Sequence, residues 1–329
     1  MRFEHREGIG KAKLDLKDKK ILALLCQNAR TSSTAIAKKV GLSRDAVSYR
    51  INNYIKNNII IGFKTIIDIS KLGYDSYHLF LQLNQPKKEI EKELINKFKN
   101  YNFVRAILKF HGKFDYELAI IAKDLKEFDS IFNKIVEDCS DYLQYYEILP
   151  IIKSYKITST LPRSFYDFKI NNITKDQKIE MDETDRKILS VISEKASIPF
   201  YTIAKNLNLS PDTIIYRIKK LINSGIIINF TPVINYASLN YNIYAVLLQI
   251  NNLKDQKEST LKQFLNSDKN VLWAVKTLGK FNVLIYVCVN NTEDLHETLL
   301  NLRNYFPNDI KDYETLIAYE EFKYTYYPF

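Results

Sequence analysis

Between residues 14 and 64 the apolar positions recur three or four residues apart, the period of an α-helix. Ile21, Leu22, Leu24 and Leu25 predict one helix, Ile36, Ala37 and Val40 a short second one, and Val47, Ile51, Tyr54 and Ile55 a third. Gly41-Leu42-Ser43 separates the last two: glycine takes a left-handed turn and serine caps the helix that follows. The β-branched run Ile59-Ile60-Ile61, followed by Gly62-Phe63-Lys64, predicts a small hairpin, so the segment reads as a winged helix-turn-helix. With Val47, Ile51 and Ile55 expected to face inward, the third helix turns Arg44, Asp45, Ser48, Tyr49 and Asn52 outward. That face is short and hydrogen-bonding, as entry into a major groove requires, and Ser43 stands at its start. Beyond Leu72-Gly73-Tyr74 the period becomes that of strands. Tyr77–Leu83, Val104–Phe110, Tyr116–Ala122 and Tyr142–Ile152 read as strands, with helices marked by Ile90–Phe98 and Phe128–Ile135. The order βαββαβ is ferredoxin-like.

The whole pattern returns 167 residues later. Asp18-Lys19-Lys20-Ile21-Leu22 matches Asp185-Arg186-Lys187-Ile188-Leu189, and Gly112-Lys113-Phe114 matches Gly279-Lys280-Phe281. One offset relates Leu14/Met181 to Pro162/Phe329, with about 40 identities in 149 pairs and no gap. Such copies are too long for solenoid repeats, so each is a complete folding module. The expected fold is α+β, a tandem duplication of a winged helix-turn-helix followed by a ferredoxin-like βαββαβ domain. The expected domains are an N-terminal arm (1–13), winged helix one (14–64), ferredoxin-like domain one (65–160), a linker (161–180), winged helix two (181–231) and ferredoxin-like domain two (232–329). In the second copy Asn208-Leu209-Ser210-Pro211 replaces the Gly-Leu-Ser turn, with proline at a favoured helix start.

Charge distinguishes the copies. The net +10 is concentrated in residues 14–64, with 10 Lys+Arg against 3 Asp+Glu; residues 181–231 hold 7 against 5. A polyanion is therefore expected on the first winged helix. In the second copy Thr213, Tyr216, Arg217, Lys219 and Lys220 are the candidates for DNA contact. Arg50 and Arg217 recur beside a core position, where phosphate contact and an internal salt bridge are both open readings. Cys26, Cys139 and Cys288 are far apart and unmatched between copies, which argues against a disulfide framework or CxxC metal site and suits a reducing compartment. The first residues lack a signal-peptide core and no apolar run is long enough to span a bilayer, so a cytoplasmic protein is expected. No phosphate-cradling glycine loop or HExxH occurs, and neither cofactor, metal nor enzyme activity is expected. The four histidines, His5, His78, His111 and His296, lie in unlike places; His111, beside Gly112, is the one near a plausible pocket, but Leu278 replaces it in the second copy and it reads as structural.

The series Leu14 to Leu22, Ile36-Ala37-Lys38-Lys39-Val40-Gly41-Leu42-Ser43, Val47-Ser48-Tyr49-Arg50-Ile51 and Ile59 to Phe63 resembles the Lrp/AsnC family of transcriptional regulators. Both copies match it in order. The resemblance implies double-stranded DNA as partner and a second domain of the RAM type that senses amino acids and forms dimers. It places an effector loop at Gly112-Lys113-Phe114-Asp115, whose carboxylate would receive an ammonium group; Gly279 and Asn282 mark the uncharged counterpart. A hairpin turn kept by folding alone remains the other reading of that loop. The two ferredoxin-like domains of one chain are expected to pair as a pseudo-dimer, with higher homo-oligomers open. Two alternatives stand: a siroheme-decarboxylase-like enzyme, since relatives of this architecture resemble such enzymes, and a winged-helix module for protein contacts.

Overall fold

The computed structural model describes residues 12–84, 86–156, 161–163, 165 and 180–327. The arm up to residue 11 and most of the 161–180 linker lie outside the described residues. Repeat one gives α1 (Leu16–Gln27), α2 (Ser33–Val40), α3 (Arg44–Lys56), β1 (Ile60–Ile67), β2 (Asp75–Leu83), α4 (Lys88–Asn100), β3 (Val104–His111), β4 (Tyr116–Ala122), α5 (Leu125–Cys139) and β5 (Leu143–Lys156). Repeat two gives, in the same order, α6 (Glu183–Glu194), α7 (Phe200–Leu207), α8 (Pro211–Asn223), β6 (Ile227–Ile234), β7 (Asn242–Ile250), α9 (Asp255–Ser267), β8 (Val271–Thr277), β9 (Val283–Val289), α10 (Thr292–Tyr305) and β10 (Ile310–Tyr324). The fold is α+β. Its two compact units each draw on both repeats, so the folding units cut across the modules expected from the sequence.

One unit holds the two winged helices. The expected hairpin of residues 59–64 does not form. Residues 60–67 instead run as one strand, because Gly62-Phe63-Lys64-Thr65 contains no tight-turn pair and the β-branched run resumes at Ile66-Ile67. A lone strand must satisfy its backbone, and β6 of the other repeat does so as an antiparallel partner. The register is informative: Lys64 lies opposite Thr231, its own repeat equivalent, with Phe63 opposite Pro232 and Thr65 opposite Phe230. Each pairing is matched by its mirror, so a pseudo-twofold passes through Lys64 and Thr231. Hydrogen bonds beyond the ladder obey the same symmetry. The Ala29 N–H donates to the Phe230 carbonyl at 2.8 Å and the Ala196 N–H to Phe63 at 3.0 Å. The Asp68 N–H donates to Ile226 at 2.9 Å and the Asn235 N–H to Ile59 at 3.0 Å. Helix α1 packs on β6 and α6 on β1, so the first helices are exchanged between repeats.

The other unit is a closed eight-stranded barrel, in the order β10-β3-β4-β2-β5-β8-β9-β7. Two ladders join the repeats, β5 with β8 and β10 with β3, and their registers are again equivalent: Ile151 pairs with Thr277 as Ala318 pairs with Phe110. The last strands run past the expected Ile152 and its equivalent Tyr319, and these extensions carry most of the inter-repeat ladders. The sheets therefore join edge to edge rather than stacking face to face. Alternate strand residues such as Leu79, Leu81, Leu118 and Ile120 pack outward under α4 and α5, in a cluster with Phe98 and Phe128. The opposite set, including Phe80, Phe110, Leu149 and Leu316, is buried inside the barrel.

Candidate nucleic-acid interface

Each winged helix is locked by a capping carboxylate. Asp15 caps α1 and exchanges hydrogen bonds with Asp18; Asp182 and Asp185 repeat the arrangement on α6. Arg50 reaches back from α3 to Asp15 at 2.8 Å and Asp18 at 2.6 Å, and Arg217 makes the same bridge to Asp182 at 2.7 Å and Asp185 at 2.9 Å. Of the two roles left open for these arginines, the internal ion pair is the one formed. Asp18 raises the Arg50 pKa most, by accepting its hydrogen bond, and Asp182 does the same for Arg217. Lys220 also turns inward, with its Nζ 3.6 Å from Asp185.

The outward face of α3 follows the sequence reading with one exchange. Val47 is buried, but Ile55 is 44% exposed, and Tyr54 takes the inner place with its hydroxyl donating to Asp18 at 2.6 Å. A helix turns 100° per residue, so Tyr54, seven residues after Val47, continues that inner stripe better than Ile55 does. Arg44, Asp45, Tyr49 and Asn52 are exposed and Ser48 is half-buried. The Ser43 hydroxyl accepts from the Ala46 N–H at 3.1 Å, so it serves as the helix cap. Gly41 takes the left-handed turn (φ 65°), and Lys17 donates to its carbonyl at 3.0 Å, fixing the angle between α2 and α3. On α8, Tyr216 and Lys219 are exposed, Thr213 is half-buried, and the Ser210 cap accepts from the Thr213 N–H.

The charge difference persists at the surface. Lys38, Lys39, Arg44 and Lys56 are exposed on repeat one. Their equivalents are Lys205, Asn206, Pro211 and Asn223, so three of four cations are missing from repeat two.

The loop at Gly112–Asp115 has structural duties. Gly112 (φ 141°) and Gly279 (φ 130°) adopt backbone conformations that side chains resist, and a Cβ on Gly112 would lie 2.7 Å from the Leu316 side chain. The other repeat's last strand passes close to each glycine. Phe114 and Phe281 are fully buried. The Asp115 carboxylate accepts from the Leu83 N–H at 2.7 Å, and the Asn282 amide oxygen accepts from the Ile250 N–H at 2.9 Å. The lost charge at Asn282 thus leaves the shared hydrogen bond intact. Lys113 lies over Phe114 and Tyr145 with Glu314 3.8 Å away.

The residue pattern did not reveal a polar cluster inside the barrel. Glu117 is fully buried; His78 and the Tyr286 hydroxyl each hydrogen-bond one of its oxygens, and Trp273 stacks on His78. The equivalents of these four residues are Leu284, Ala245, Ala119 and Ala106, so a comparison of matched positions passes over them. Burial pushes the Cys139 thiol up to about 12 and those of Cys26 and Cys288 upward as well. Among the described residues no acidic, His or Cys cluster could hold a metal, and no helix is long and apolar enough to cross a membrane.

A winged helix-turn-helix DNA-binding family profile matches residues 14–61 and 181–228. The regulatory protein AsnC of Haemophilus influenzae is 30% identical over 138 residues, which are 42% of this chain and 91% of that one. The transcriptional regulator LrpA of Pyrococcus horikoshii is 36% identical over 123 residues, 37% of this chain and 86% of that one. The chain belongs to the Lrp/AsnC family of transcriptional regulators, here as two fused copies. The crystal structure of the siroheme decarboxylase NirDL superposes with a TM-score of 0.62 and 14% identity, covering 94% of this chain and 92% of that one. That likeness extends the fold to the tandem arrangement.

Proposed function

We propose that the chain is a sequence-specific transcriptional regulator that binds double-stranded DNA through α3 and α8, with repeat one supplying most of the affinity. The observation that carries this reading is the exposed polar face of α3, Arg44 included, flanked by Lys39 and Lys56. A groove-entering helix needs hydrogen-bonding side chains for base edges and cations for flanking phosphates, and both are present. Incubating the full chain with genomic fragments and sequencing those retained should yield a defined set whose affinity falls steeply with salt. Failure of any duplex to exceed background at low salt would refute it and leave the protein-contact reading.

An amino acid held at Gly112–Asp115 would have to share the Asp115 carboxylate with the Leu83 N–H. Calorimetry over a panel of amino acids on wild type and Asp115→Asn tests this, because asparagine keeps that hydrogen bond and removes only the charge. Equal affinities would move the site elsewhere. A decarboxylase-like activity has the fold alone in its favour; a Soret titration with siroheme is expected to show no perturbation. Pairing between chains, beyond the pairing within one, is read from mass in solution against 38.6 kDa.

A further inference from the structure

The outward faces of α3 and α8 agree along one line and differ along the next. Asp45 and Tyr49, one turn apart, are matched by Asp212 and Tyr216, and the two tyrosines are exposed to the same degree, 68% and 69%. On the adjacent line, also at four-residue spacing, Arg44, Ser48 and Asn52 are replaced by Pro211, Ile215 and Lys219. Every position of that second line changes chemistry: a forked cation becomes an imino acid, a hydroxyl becomes a branched hydrocarbon and an amide becomes an ammonium. The scaffold beneath does not change. The β1–β6 register sets Lys64 against its own equivalent, so the pseudo-twofold of the pair also relates α3 to α8. Two helices related in this way approach a duplex as the two heads of a symmetric dimer do, over half-sites that run in opposite directions. The heads nonetheless carry different side chains.

Resting on the DNA-binding reading above, we infer that one molecule reads an inverted pair of half-sites of different sequence, and therefore lies on its operator in one orientation only. The half under α3 is set by hydrogen bonds, since Arg44 can fork onto a guanine edge and Asn52 onto an adenine edge. The half under α8 is set by apolar contact, with Ile215 suited to a thymine methyl. Tyr49 and Tyr216 make the contact common to both, so a short core of the two halves is alike and their flanks are not.

The test is selection of bound duplexes from a random pool by the full chain, followed by the same selection with Asn52→Ala and with Ile215→Ala. Both substitutions lie on half-exposed or exposed helix positions, and an unchanged thermal midpoint confirms that each variant is folded. The expected result is a two-part site with inverted geometry and unlike flanks, in which Asn52→Ala relaxes base preference in one half and Ile215→Ala in the other. Loss at a single base pair of about 1–3 kcal/mol of preference corresponds to roughly 5–150-fold in enrichment ratio. A perfect palindrome, a direct repeat, or a single half-site indifferent to Ile215→Ala would each overturn the inference while leaving DNA binding intact. An unselected pool, with no sequence enriched, would overturn the DNA-binding reading itself.

Discussion

The two winged helices share a lock and differ in its second bolt. In repeat one Asp18 is held by Arg50 and the neutral Tyr54 hydroxyl; in repeat two Asp185 is held by Arg217 and the charged Lys220, with Leu221 standing where Tyr54 does. The carboxylate and its arginine are common because they fix α3 and α8 against the first helices. The second partner varies because a carboxylate can be supported either by a direct hydrogen bond, as from Tyr54, or by a nearby ammonium, as from Lys220 at 3.6 Å. Buried or half-buried residues retained in both repeats, such as this carboxylate and its arginine, therefore report what the fold needs. The residues that differ, on the outer stripes of α3 and α8, report what each half is free to recognise.

The largest effect that would break this comparison is on DNA. Replacing Lys39 and Lys56 together with alanine should lower affinity roughly 10–10²-fold and reduce the salt slope by about 2, since each lost phosphate contact removes its share of counterion release. Replacing Lys205 and Lys219 should cost several-fold less; equal losses in a titration at fixed salt would erase the asymmetry. Next comes the lock. Arg217→Ala leaves a fully buried Asp185 with Lys220 only as near as 3.6 Å and should lower stability by about 3 kcal/mol in urea unfolding, against about 2 for Arg50→Ala, where the Asp18 side chain is 12% exposed and keeps the Tyr54 hydrogen bond.

A smaller, pH-dependent effect separates the two inter-repeat ladders of the barrel. Lys156, at the end of β5, is buried and donates to the Asp268 carbonyl, and burial brings its pKa down to about 8. Its equivalent, Lys323, donates to two carbonyls, those of Lys99 and Tyr101. A base whose folded pKa lies below its unfolded value of about 10.4 penalises folding fully below pH 8, and the penalty fades as pH rises through that value. Lys156→Met should thus be more stable than wild type at pH 7 by about 1–3 kcal/mol, and the gap should close toward pH 10 in paired melts. Last, Asp115→Asn should shift stability by no more than about 0.5 kcal/mol, because Asn282 already shows the amide making the same bond. A large loss would mean that the charge itself holds the loop.

Helix positions, the serine caps and the βαββαβ order were legible because each leaves a local signature in apolar spacing or in a capping residue. The wing was misread because a hairpin and a strand completed from another repeat share one β-branched pattern; the partner of Ile60–Ile67 lies well over 100 residues away. Ile55 lies outside because the 100° period carries the Val47 stripe to Tyr54 rather than to Ile55, and apolar character alone does not favour a tyrosine whose hydroxyl finds its partner in Asp18. The internal role of Arg50 and Arg217 was legible as one of two options, and only the distance to the α1 and α6 caps separates them. The Glu117 cluster joins unlike positions of the two repeats, so no spacing rule reaches it.

Closing the barrel with the final strand has a consequence for how the protein is made. Strand β3 is synthesised early, yet its outer edge is paired only by Ile317–Tyr324, about 200 residues later. At ~5–20 residues per second the ribosome leaves that edge open for roughly 10–40 s. During this interval repeat one resembles an unfinished sheet in search of a strand, and the most available alternative is a nascent chain of the same kind. Conditions that slow elongation should therefore favour chains that exchange this strand, and emergence of residues 317–324 becomes the step that commits each molecule to closing on itself.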